Sequence, residues 1–199
     1  MESSKKKIVI VCSGNTCRSP VFAAGLKHKL QLKKKDHLYV VQSAAVGMTG
    51  DGEKLQDGCP INEYLRAALP KIKEELLNAE SEFSDSDIQS SVKEFINELE
   101  RHKSRNLKDV ELPVWKVVAL NGSNHWLIQE TLKVDKDHFE SKEYYTNDSA
   151  WDTVQNIEKK VEDENRKRMT SDEIQEAQNA YYKQFVELMG KVRRFAETL

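Results

Sequence analysis

Two cysteines, a glycine, an asparagine and an arginine crowd the stretch VCSGNTCRSP, Val11 to Pro20. Consecutive backbone N–H groups in a glycine-containing loop turn inward and make an anion cradle. A helix that begins at the end of the loop adds its own N-terminal N–H groups and the positive end of its dipole. Arg18 contributes a planar fork suited to two oxygens of a tetrahedral oxyanion. A cysteine in such a field is favoured as thiolate, the form that attacks. Cys12 is therefore the candidate nucleophile. Ser13, Gly14, Asn15, Thr16, Cys17, Arg18 and Ser19 are the candidate phosphate-binding loop. Asn15 tolerates the left-handed backbone that a tight turn needs.

Such a loop needs a strand before it and a helix after it. Lys7 to Cys12 is a β-branched apolar run, the pattern of a strand covered on both faces. Ser19 and Pro20 read as cap and first residue of a helix carrying Phe22, Ala23, Leu26 and Leu30. Tyr39–Ala45 and Val114–Leu120 read as two more strands, and Lys142–Thr146 as a weaker fourth. Two amphipathic helices are expected within Glu63–Lys108, the second capped in Ser84-Asp85-Ser86-Asp87. The tract after Asp152 reads as a solvated helix. A last helix over about 172–198 puts Ile174, Tyr181, Phe185, Leu188, Val192 and Phe195 on one stripe. Strands alternating with helices predict an α/β fold: a single domain over 1–199, with a four-stranded parallel sheet flanked by helices and a charged helical insertion at about 70–112. In such sheets ligands bind beyond the carboxyl ends of the strands, where the Cys12 loop falls.

Composition narrows the function classes. Charged residues are 32% of the 199 and the net charge is −2, which argues against a general binder of nucleic acid or membrane surface. No run reaches the roughly 18 apolar residues of a membrane span. MESSKKK leads straight into the first strand, so no secretory signal is expected. Three cysteines make no disulfide framework and point to a reducing, cytoplasmic setting. The five histidines show no metal-ligand spacing, and no metal or organic cofactor is expected.

Cys12-Ser13-Gly14-Asn15-Thr16-Cys17-Arg18-Ser19-Pro20 after IVIV resembles the signature loop of the low-molecular-weight protein tyrosine phosphatases. Gln42-Ser43-Ala44-Ala45 is similar to that family's segment after its second strand. Ala119 to Asn124 is similar to another, with Asn121 where the family carries an acidic residue. The resemblance implies attack by Cys12 on phosphorus, a phosphocysteine, and its hydrolysis by water. It implies that Arg18 holds the equatorial oxygens, and that Asn15, Ser19 and Ser43 fix the loop. It makes Cys17 a cysteine able to pair with the nucleophile. The implied partners are phosphotyrosine proteins or small aryl phosphates.

Cleaving an aryl phosphate calls for an acid at the leaving oxygen. The family supplies it from an Asp-Pro pair, which this sequence lacks. Asp148, in Asn147-Asp148-Ser149-Ala150-Trp151, is the candidate, ahead of Asp135, Asp137 and Asp152. Trp151 and Met48 are candidate walls of the substrate cleft. His125 reads as structural and Cys59 as incidental. Three other readings stand beside the phosphotyrosine phosphatase. A phosphoprotein-binding module without an effective acid is the first. The others are a thiol-dependent arsenate reductase, short of the cysteines it needs, and a phosphatase of RNA polymerase tails.

Overall fold

The computed structural model describes residues 5–46, 58–120, 125–140, 143–146 and 149–199. Strand β1 (Lys6–Cys12) leads through a loop into helix α1 (Arg18–Leu32), then strand β2 (Tyr39–Ala45). Helices α2 (Glu63–Ala79) and α3 (Asp85–Arg101) follow, then β3 (Lys116–Ala119), α4 (His125–Leu132) and β4 (Phe139–Glu140). Helices α5 (Ser149–Asp163) and α6 (Ser171–Glu197) complete the order. The four strands form one parallel sheet in the order β2-β1-β3-β4. This is the expected α/β architecture. Strand order reverses beside β1, so the loop after β1 lies at the switch point where such sheets bind ligands.

Alternation along β1 sorts the core into two layers. Ile8, Ile10 and Cys12 join the cluster beneath α1, α2, α3, α5 and α6. Val9 and Val11 join the opposite cluster with Ala44, Val117, Ala119, Ile128 and Leu132, beneath α4. Cys12 is thus delivered to the α1 side by the pleat itself. Phe22 of α1 meets the rings of Tyr144 and Phe195 at 6.1 Å each, an apolar floor that fixes how α1 leaves the loop.

Several boundaries differ from expectation. Helix α1 begins at Arg18, not Pro20: Cys17 holds the N-cap position, and its carbonyl accepts Val21 N–H at 3.1 Å. Pro20 then occupies a first-turn position where a missing N–H costs no helical bond. The fourth strand is Phe139–Glu140, paired with Val117 and Val118, rather than 142–146. Tyr144 and Thr146 are buried for another reason: Tyr144 fills the aromatic floor, and Thr146 N–H donates to Leu120 O at 3.1 Å. The tract after Asp152 is not solvated all round, since Val154, Ile157 and Val161 are buried against the core. In α6 the stripe begins at Ala177, and Ile174 is exposed. Among the described residues no helix is long and apolar enough to cross a membrane.

Candidate active site

The loop Ser13–Cys17 closes around the sulfur of Cys12, which is 2% exposed. Asn15 N–H donates to Cys12 Sγ at 3.2 Å, and Ser19 Oγ lies 3.0 Å from the same sulfur. Asn15 has φ 52°, the left-handed conformation that turns its N–H inward. Its side chain is fully buried and doubly used. Nδ2 donates to Ser19 Oγ at 2.9 Å, and Oδ1 accepts Arg105 N–H at 2.8 Å. With its hydroxyl oxygen accepting from Asn15, Ser19 has one proton to give, to Cys12 Sγ at 3.0 Å or to Ala44 O at 3.5 Å.

Arg18 is 6% exposed and held from both sides. One terminal nitrogen donates to Thr146 O at 2.8 Å, and the other reaches Ser13 Oγ at 3.4 Å. Thr146 follows β4, so the chain after an edge strand meets the loop after the inner strand β1 on this guanidinium. Cys17 caps α1 and is buried, its thiol donating to Gln184 Oε1 of α6 at 3.1 Å. Thr16 O accepts Asn62 N–H at 2.9 Å, and Asn62 in turn caps α2 through Tyr64 and Leu65 N–H. Each turn of the loop is thereby tied to a different helix.

The residue that sequence reasoning missed is His102, just past α3. Its Nε2 lies 2.6 Å from Asn15 O. A carbonyl only accepts, so Nε2 carries the proton. Burial holds the His102 pKa below the ordinary range and keeps the ring neutral, against the opposing pull of the Asn15 bond and Glu98. No local pattern marks this contact, because 87 positions separate the partners. Arg105, immediately after the buried Ser104, contributes only its backbone N–H. Thr146 and Gln184 escaped for the same reason.

Of the other expected residues, Ser43 stands on β2 opposite Ile10, and among the described residues no hydrogen bond links its side chain to the loop. Trp151 is 47% exposed in the first turn of α5. Asp148 and Met48 lie outside the described residues, as do 121–124. Asp152 is in the first turn of α5, and Asp135 and Asp137 flank the turn before β4. His125 packs its ring on Phe139 at 5.3 Å. Among the described residues no cluster of three or more His, Cys, Asp or Glu side chains could hold a metal ion.

An N–H- and hydroxyl-lined sulfur, an inward loop and a buried arginine at a helix N-terminus are the parts of a thiol-based oxyanion site. No family model matches the sequence, and no curated protein matches it. Solved structures do match. A low-molecular-weight protein tyrosine phosphatase from T. tengcongensis aligns over 98% of this chain and 100% of its own, with 18% identity and TM-score 0.56. The tyrosine phosphatase Wzb from Escherichia coli K30, solved with sulphate, aligns over 98% of each chain with 15% identity and TM-score 0.55. The YwlE arginine phosphatase from Geobacillus stearothermophilus aligns over 97% and 92%, with 18% identity and TM-score 0.51. The chain has the fold of the low-molecular-weight protein phosphatases.

Proposed function

We propose that this chain hydrolyses phosphate monoesters on proteins, phosphotyrosine first among them, through a phosphocysteine on Cys12. The observation that carries the reading is the setting of Cys12 Sγ, 3.2 Å from Asn15 N and 3.0 Å from Ser19 Oγ, in a loop that ends on Arg18. In the first step the Cys12 thiolate attacks phosphorus in line, and the bond to the aryl oxygen breaks. Asp148, on the segment that follows Thr146, gives the leaving oxygen its proton. Arg18 turns its fork from Thr146 O onto the equatorial oxygens, where the charge of a loose transition state gathers. Water then gives a proton to the Asp148 carboxylate and attacks phosphorus, the sulfur–phosphorus bond breaks, and the hydroxyl of Ser19 donates to the departing thiolate. No cofactor is required. The small cysteine count favours a cytoplasmic protein acting on phosphoproteins or small aryl phosphates.

The test is turnover of an aryl phosphate and of phosphotyrosine and phosphoarginine peptides by wild type, Cys12→Ser and Asp148→Asn. Wild type turns over the aryl phosphate, Cys12→Ser loses all of it, and the phosphotyrosine peptide outpaces the phosphoarginine one. Absence of Cys12-dependent turnover overturns the reading and leaves a phosphoprotein-binding cradle. Asp148→Asn costs a factor of about 100 or more on the peptide. If Asp148→Asn equals wild type, the acid lies elsewhere.

A further inference from the structure

Helix α3 ends at Arg101, and the chain leaving it reads His102-Lys103-Ser104-Arg105-Asn106, its side chains alternating in burial as a strand's do. Ser104 is buried, and His102 and Asn106 are half-buried. Arg101, Lys103 and Arg105 are all exposed and face outward in a row. The backbone is held on both sides. Ser104 N–H donates to Cys59 O at 2.7 Å, and Ala45 N–H of β2 donates to Arg105 O at 2.8 Å.

This segment and α3 form one wall of a groove of about 660 Å³ whose other wall is the outer edge of β2. Val40, Val41, Gln42 and Ser43 line the β2 side; Glu98, at the groove's floor, is already paired with Lys27 at 2.7 Å. Among the described residues none of Arg101, Lys103 and Arg105 has an ion-pair partner. Three unpaired cations in one concavity, on a chain of net charge −2, focus a local positive field. β2 ends the sheet, and among the described residues only its last position, Ala45, is bridged on the outer side, to Asn106.

We propose that this groove binds an acidic peptide segment of a partner protein in extended form, added as a strand to the edge of β2. An open edge offers the backbone hydrogen bonds of strand addition, and the cation row selects for acidic side chains. Carboxylates at alternate positions of an added strand share one face and meet Arg101, Lys103 and Arg105. Val40 to Ser43 accommodate about four residues, at roughly 3.3 Å each.

The experiment is fluorescence anisotropy of the full chain with a labelled octapeptide of alternating glutamate and valine. The controls are a lysine–valine octapeptide, a glutamate–valine octapeptide N-methylated at alternate residues, and oligouridylate. The alternating acidic peptide binds, its affinity falls with salt, and both control peptides fail. Arg101→Glu with Lys103→Glu weakens binding about ten-fold or more, while melting temperature and aryl phosphate turnover stay at wild-type values. If charge reversal lowers the melting temperature, Arg101→Gln with Lys103→Gln takes its place. Binding unaffected by the substitutions, or no binding at millimolar peptide, overturns the proposal and leaves the cations as guards against sheet-to-sheet association. Equal binding of the N-methylated peptide overturns strand addition, and tighter binding of oligouridylate assigns the groove to nucleic acid instead. Binding is read without turnover, so it stands or falls separately from the phosphatase reading.

Discussion

Acidification from pH 7 to pH 4 should cost this protein stability, and a measurable share of the loss runs through His28. It is 2% exposed on α1, with its ring edge-on to Phe95 at 6.3 Å. Neither ring nitrogen has a hydrogen-bond partner of ordinary geometry among the described residues. Burial lowers its pKa from 6.5 to about 4; attraction from Glu80 offsets part of that, and Lys29 reinforces it. The folded state thus refuses a proton that the unfolded chain accepts. The stabilisation is whole above pH 6.5, declines as pH falls through that value, and is spent by about pH 4. At about 1.4 kcal/mol per pH unit, the interval amounts to about 3 kcal/mol, a large part of a typical 5–15 kcal/mol total. Urea unfolding of wild type and His28→Leu at pH 7, 5.5 and 4 reads the effect. The leucine variant stays buried but cannot titrate, so wild type should lose about 3 kcal/mol more than the variant across that range. Parallel pH curves for the two proteins refute the reasoning.

Other outcomes follow from contacts around the loop and insert. Asn15→Gly keeps the left-handed backbone but strands the Arg105 N–H and removes the donor to Ser19. It should lower stability by about 2 kcal/mol, with a larger proportional loss in kcat than in KM, measured by urea unfolding and steady-state kinetics. Ser84→Ala removes the N-cap of α3, where Asp87 N–H meets Ser84 Oγ at 3.3 Å. It should cost about 1 kcal/mol and about 2–4 °C of melting temperature, read by calorimetry, and leave turnover unchanged. Thr146→Pro leaves the carbonyl that holds Arg18 but deletes the N–H given to Leu120 O. It should impair aryl phosphate turnover by more than it impairs melting.

The loop and the three longer strands were legible because their signals are local. A β-branched run, a glycine-asparagine turn and a following apolar helix all lie within about 25 consecutive residues. The second strand matches its expected bounds, Tyr39–Ala45, for the same reason. The fourth strand was misplaced because Tyr144 and Tyr145 carry strand propensity, yet Tyr144 is claimed by the ring of Phe22. The supports of the site were not legible at all. His102, Thr146 and Gln184 reach Asn15, Arg18 and Cys17 across 87, 128 and 167 positions. No periodicity in a single sequence encodes such meetings; tertiary packing alone brings them together.

The distance between Cys17 and Gln184 along the chain has a temporal side. β1 is made before β3 and α6, yet it is an inner strand that waits for β3, and its loop waits for α6. Lys191 of α6 also bonds Thr146, the residue whose carbonyl holds Arg18. Contacts of such separation form late, since the loop between them must close first. Until α6 has been made, a nascent chain therefore carries Cys12 in a loop whose supports are incomplete. On refolding, recovery of Cys12-dependent turnover should track the docking of α6 rather than the formation of the sheet.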